Sequence, residues 1–194
     1  MFENVAEDIR LGVRWHSVPR VRALFGERAE TVAALALSAE LQVVLVYRLQ
    51  AWLRANHVPL LPNLCRRLTM LLAGVSIGDQ VTIGPGLLMN HGHVVIDGTT
   101  SIGPLCSIAP FVTIGLNTGG PDVSFAGPTL GKFVFIGTGA KLLGPIAIGD
   151  NARIGANAVV LSDVPADATA VGVPARILPH AYPLGPAVSE DLSS

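Results

Sequence analysis

A chain of 194 residues is long enough for one ordinary domain with an appendage, not for two large domains. Half of it is apolar and only 14% is charged, well below the roughly one quarter usual for soluble domains, so a sizeable core is expected with much surface hidden against partner copies. The formal net charge is −1 and no basic run occurs, which excludes the clustered Lys and Arg that nucleic-acid binding requires.

The opening segment MFENVAEDIR mixes charges and lacks an apolar run, so no secretory leader is expected. Residues 2–27 read as helical with a break near Pro19. Thr31 to His57 contains neither Pro nor Gly and carries Leu35, Leu37, Leu41, Leu45, Leu49 and Leu53, which predicts one helix ending before Pro59. Glu40, Gln42 and Arg48 interrupt its apolar run, so it is too polar for a span of roughly 20 apolar residues. A soluble, cytoplasmic protein without a membrane span follows as the expectation. A second, shorter helix is predicted over Pro62 to Leu72. Cys65 and Cys106 lie far apart and read as two free core thiols in a reducing compartment.

From Ile77 onward the pattern changes. An aliphatic residue recurs every six positions at Ile77, Ile83 and Met89, slips by one, and resumes at Ile96, Ile102, Ile108 and Ile114. It returns at Leu130, Ile136, Leu142, Ile148, Ile154 and Val160, often followed by Gly. Four positions after most of these sits a small or branched residue, as at Val81, Cys106, Val112, Val134, Ala140, Ala152 and Ala158. Six is neither the helical period nor a simple alternation. It fits two-residue strands joined by tight corners, three strands to a coil, with stacked coils pairing as strands do at about 4.8 Å. The segment LNTGGPDVSFAGPT interrupts the repeat and reads as a loop insert spanning 115–129. Pro165 and Pro174 are expected to stop further strand pairing, and the stretch from Pro179 onward reads as a mobile tail. The expected organisation is a helical region over 1–74, the repeat domain over 75–178 and a tail over 179–194.

The stretch IGTGAKLLGPIAIGDNARIGANAVVLSDVPADATAVGVPARIL at 136–178 resembles the end of serine O-acetyltransferases and their hexapeptide relatives. NHGHVVID at 90–97 resembles that family's active-site segment, and residues 46–78 resemble the helical lead-in of its shorter members. The resemblance covers roughly residues 40–178. It implies a mainly β fold, a left-handed parallel β-helix of hexapeptide repeats preceded by a short α-helical region. It further implies an acyl-CoA-dependent O-acyltransferase, with acetyl-CoA as cosubstrate, a small hydroxyl-bearing acceptor, no metal, and assembly as a homotrimer.

By the same resemblance His91 is the general base that takes the acceptor hydroxyl proton, a task suited to an imidazole. Asn90, His93 and Ser76 are the implied acceptor-side residues, with His93 the alternative base. Thr138, Gly139 and Ala156 match corners along which the pantetheine arm runs, and Arg176 matches a cation near the nucleotide phosphates. The chain departs from the pattern where Ser76 and Asn90 replace aspartates, and where Gly127 and Pro128 fall at a lost Arg-His pair. Those departures point to an altered acceptor site and leave a backbone carbonyl to orient His91. Two alternatives stay open: a non-catalytic scaffold, and an N-acyltransferase acting on an amine or amino sugar. His91 and His93 alone supply too few ligands for a catalytic zinc, which needs three.

Overall fold

The computed structural model describes residues 2–15, 19–118 and 125–178. Five helices come first: α1 (Phe2–Trp15), α2 (Pro19–Phe25), α3 (Glu27–Leu37), α4 (Ala39–Ala55) and α5 (Leu61–Ala73). The single helix expected over Thr31 to His57 is two, meeting at an 80° bend. Ser38 is the cause. It takes an extended backbone, and its hydroxyl accepts the Leu41 N–H at 3.2 Å, capping α4. Among the described residues no single helix is long and apolar enough to cross a membrane. α5 ends on Gly74, whose left-handed backbone closes the helix and turns the chain into the repeat.

Fifteen short strands follow. They are β1 (Ser76–Ile77), β2 (Thr82–Ile83), β3 (Leu88–Met89), β4 (Val95–Ile96), β5 (Ser101–Ile102), β6 (Ser107–Ile108) and β7 (Thr113–Gly115). After the insert come β8 (Thr129–Leu130), β9 (Phe135–Ile136), β10 (Lys141–Leu143), β11 (Ala147–Ile148), β12 (Arg153–Ile154), β13 (Val159–Val160), β14 (Thr169–Val171) and β15 (Arg176–Leu178). Through β13, each strand pairs in parallel with the strand three along, giving sheets ordered β1-β4-β7-β10-β13, β2-β5-β8-β11 and β3-β6-β9-β12. The chain therefore coils through three sheets, one strand in each per turn. β4 pairs with β7 at eighteen positions, Val95 with Thr113. The first coil holds one residue more, Ser76 pairing with Val95, and the extra residue falls in the corner between β3 and β4. The coil carrying the insert pairs at twenty-eight, Ser101 with Thr129.

The core is the stack of aliphatic positions on the coil axis. Ile96, Ile108, Ile114, Ile136, Leu142, Ile154 and Val160 have no exposed surface, and the small residues Cys106, Val134, Ala140, Ala152 and Ala158 pack beside them at the corners. Burying each Ile or Leu is worth about 1.5–3 kcal/mol. Both cysteines are buried and unpaired. Val164 bridges Ile148, and contrary to the sequence-based expectation pairing continues beyond Pro165, where β14 pairs in parallel with β12. Pro165 opens the turn before β14 and so is asked for no ladder hydrogen bond. After Pro174 the chain reverses, and β15 runs antiparallel on β14. The tail over 179–194 lies outside the described residues.

Buried hydrogen bonds from Tyr47, Arg48 and Gln50 on α4 tie the helices to the coil. Arg48 on α4 donates from Nε to Asp8 Oδ2 on α1 at 2.7 Å, and its Nη groups donate to the carbonyls of Ile83 and Gly84. Asp8 Oδ1 in turn accepts the Gly86 N–H at 2.7 Å.

Candidate active site

Asn90, His91, His93, Thr138, Gly139 and Ala156 fall on one edge of the coil, where the sheet of β3 meets the sheet of β4, whereas Ser76 lies on β1 and Arg176 on β15. The corners on that edge follow β3, β6, β9 and β12. Each has a residue at positive φ: His93 (62°), Phe111 (63°), Gly139 (75°) and Asn157 (56°). The corners stack. The His93 ring lies on Phe111 with centroids 5.3 Å apart and planes 8° from parallel. The Gly139 N–H donates to Pro110 O at 2.9 Å, and the Asn157 N–H donates to Thr138 O at 2.8 Å. The last two corners close with hydrogen bonds from Ala140 N–H to Gly137 O and from Ala158 N–H to Gly155 O. They are type II turns, which need positive φ at the third position and favour Gly or Asn there.

Thr138 and Ala156 occupy the second position of these turns, one coil apart and both exposed. Among the described residues their N–H groups have no backbone partner, so both remain available as donors. Arg176 opens β15, opposite Val171, and is exposed at the end of the same edge. The turn over 172–175 is held there by bonds between Val159 and both Gly172 and Ala175.

His91 occupies the corner with the extra residue. Gly92 is pressed against the end of α5, and the His93 N–H donates to Ala73 O at 2.8 Å. Gly74 leaves room for the His93 ring, since a Cβ there would come within 2.7 Å of Nδ1. His93 is thus fixed by its ring and its backbone, whereas the His91 side chain is 76% exposed. Asn90 donates its N–H to Ile108 O at 3.1 Å, and its buried Oδ1 has no partner. The Ser76 N–H donates to Val94 O, but no hydrogen bond joins its hydroxyl to His91.

A carboxylate does reach His91, from a place that the motif did not indicate. Glu40 Oε1 on α4 lies 3.5 Å from His91 Nδ1. Its Oε2 accepts the Ser38 hydroxyl at 3.3 Å, and only a fifth of the side chain is exposed. Glu40 thus stands beside the ring nitrogen for which the sequence led to a backbone carbonyl as partner. With Nδ1 toward Glu40, Nε2 is the ring nitrogen that does not face the carboxylate. Among the described residues no carboxylate stands at ion-pair distance from His93, and no group of three His, Cys, Asp or Glu side chains forms a metal site. His57 lies at the end of α4, beside an open groove of about 880 Å³ that does not include His91.

The family profile described as bacterial transferase hexapeptide (six repeats) matches residues 127–162. The serine acetyltransferase of Synechococcus elongatus is 42% identical over 138 residues, 71% of this chain and 56% of that protein. That of Helicobacter pylori is 42% identical over 148 residues, 74% of this chain and 84% of that protein. The chain belongs to the serine acetyltransferase family. Solved serine acetyltransferases have the same fold: the Neisseria gonorrhoeae protein superposes with a TM-score of 0.76 at 26% identity, over 93% of this chain and 67% of that one. The soybean serine acetyltransferase complexed with serine gives 0.74 at 30% identity, over 91% and 68%. This chain thus spans little more than half of the Synechococcus serine acetyltransferase but most of the Helicobacter one. Within this serine acetyltransferase family member, Ser76 and Asn90 remain departures from the resemblance set out above.

Proposed function

We propose that the chain transfers the acetyl group of acetyl-CoA to the hydroxyl of serine. The observation that carries this is the single edge on which a carboxylate-paired His91 stands in line with the stacked corners at Thr138 and Ala156, in a member of the serine acetyltransferase family. Glu40 supplies a carboxylate near His91 although Ser76 and Asn90 stand at the motif positions. With the relatives named for serine, no observation favours an altered acceptor site, the scaffold or the amine acceptor.

In this mechanism His91 Nε2 takes the proton from the serine hydroxyl as its oxygen attacks the thioester carbonyl. The tetrahedral intermediate collapses, the C–S bond breaks, and the imidazolium returns the proton to the leaving thiolate. The pantetheine arm runs along the edge, its amide carbonyls accepting from the N–H groups of Thr138 and Ala156, with Gly139 admitting close approach. Arg176 meets the nucleotide phosphates. Asn90 and His93 bound the acceptor side, and Ser76 lies beneath them on β1.

On one chain alone His91 is open to water, and Phe111, Val95 and Phe135 expose apolar surface along this side of the coil. A homotrimer in which a neighbouring coil covers the edge would exclude that water and bury those side chains. The coil is read as left-handed, as the resemblance implies, with residues 1–74 forming a helical cap and 75–178 the transferase domain. A cytoplasmic setting suits the cosubstrate. The test is thiol release from acetyl-CoA by the assembled protein. L-serine should drive it, and His91→Ala should reduce it by about 10²–10⁴. Absence of serine-dependent release, or full activity in His91→Ala, overturns the reading.

A further inference from the structure

We propose that Glu40 is the positioning residue for His91, holding the imidazole with its proton on Nδ1 and Nε2 bare toward the acceptor. The inference rests on the reading of His91 as the base. Glu40 Oε1 faces His91 Nδ1 at 3.5 Å, ion-pair range but longer than a formed hydrogen bond. Such catalytic contacts are often long before substrate binds and tighten afterwards. Glu40 itself is held in place. The Ser38 hydroxyl donates to Oε2, and the residue lies in the first turn of α4, where the helix dipole favours an anion. The Ser38 hydroxyl that caps α4 thus also orients the carboxylate, so the bend between α3 and α4 and the orientation of His91 share one side chain.

Among the described residues, the neighbouring groups leave this role to Glu40. Ser76, where the resemblance would put an acidic partner, sends no hydrogen bond to His91. His93 is stacked on Phe111 and bonded through its backbone to Ala73. The Asn90 side-chain oxygen is buried. A carboxylate on Nδ1 has two effects. It selects the tautomer whose Nε2 can accept a proton, and it stabilises the imidazolium that forms when the proton arrives.

The experiment uses the full chain labelled with ¹⁵N-histidine. Wild-type protein, Glu40→Gln and Glu40→Ala are compared by ring-nitrogen spectra in the neutral imidazole form and by steady-state kinetics. In the wild type the His91 proton should sit on Nδ1. In Glu40→Ala it should move predominantly to Nε2, with kcat falling roughly tenfold to a hundredfold and KM for acetyl-CoA unchanged. Glu40→Gln keeps an oxygen acceptor without the charge, so it should retain the tautomer and lose kcat to a smaller extent. If Glu40→Ala fails to fold, a reduced kcat in Glu40→Gln at unchanged KM still supports the assignment, and an unchanged kcat overturns it. A His91 proton already on Nε2 in the wild type also overturns it. The spectra need no turnover, so a tautomer shift without serine-dependent activity would sink the acceptor reading and leave the Glu40–His91 link standing.

Discussion

Gly92 is the point at which the helical cap presses on the first coil, and adding one methyl group there tests the whole junction. A Cβ at Gly92 would fall 1.8 Å from Ala73 O, 2.8 Å from Ala73 C and 3.1 Å from Ala73 Cβ. The obstacle is mostly backbone, so a side-chain rotation cannot relieve it. The corner must move away from the end of α5 by more than about 1 Å, given that carbon–oxygen contacts settle beyond about 3 Å. Ala73 O is also the acceptor for His93 N–H, so the same movement breaks that bond. Overpacking costs about 1–3 kcal/mol and a lost backbone hydrogen bond about 1 kcal/mol more. Gly92→Ala should therefore be destabilised by about 2–4 kcal/mol. His91, the proposed base, is the preceding residue, and misplacing a reacting group by about 1 Å can cost up to about 100-fold in rate. Urea unfolding followed by circular dichroism gives the first quantity, and serine-dependent thiol release gives the second. Gly115→Ala is the control, because its new methyl would meet nothing nearer than 3.5 Å and should change stability by less than about 0.5 kcal/mol. Equal midpoints and equal turnover in the two variants would refute the proposed junction.

Two further outcomes follow from buried groups. Arg48→Ala leaves Asp8 buried without its cation and the Ile83 and Gly84 carbonyls without donors, a change expected to cost about 3–5 kcal/mol. Limited proteolysis should then cut within α1 and α4 before the coil, and wild-type resistance there would contradict the linking role. Burial pushes the Cys106 thiol up to about 11 from 9.0, with Asp150 adding to the rise and a backbone hydrogen bond opposing it. Because the folded-state value is the higher one, this stability is fully present below pH 9.0 and is lost as pH rises through about 11. The loss amounts to about 3 kcal/mol. Cys106→Ala, which matches Ala152 and Ala168 at the equivalent slots before β12 and β14, should lack that alkaline loss. Parallel decline of both proteins in urea titrations at neutral and strongly alkaline pH would show the thiol to be irrelevant.

Positions on the coil axis were legible in the sequence because each coil places its aliphatic side chains in the same environment as the coil before it. A six-residue period records that environment directly, and the slip before Ile96 marks the corner with the extra residue. The same periodicity brings Thr138 and Ala156 onto the edge that carries His93 and Phe111 despite the insert, since register resumes at Leu130. What the period does not record lies where the helices meet the coil. Ser38 sits in an apolar stretch without Gly or Pro, and its capping role appears only once α3 and α4 are seen to diverge. Glu40 looked like an interruption of an apolar helix face. Its partner lies far along the chain, and no local pattern links the two. The SAE run at 38–40 carried the available signal, a capping hydroxyl with an acidic residue in the following turn. Pairing beyond Pro165 was missed for a different reason. Proline forbids one N–H donor, not the next strand, and β14 begins only after the turn has ended.

The extra residue in the first coil has a consequence for how this molecule fails on heating. A stack of coils has a stability that is close to a sum of nearest-neighbour terms, so its ends fray before its middle. His91, Glu40 and the Gly92 junction all lie at one end, where a single irregular coil is closed by helices through Arg48 and Ala73. With His91 in its proposed role, catalytic competence is thus set by one boundary of the array, not by its mean. Warming should extinguish turnover while the coils from β8 to β13 still protect their amides from exchange.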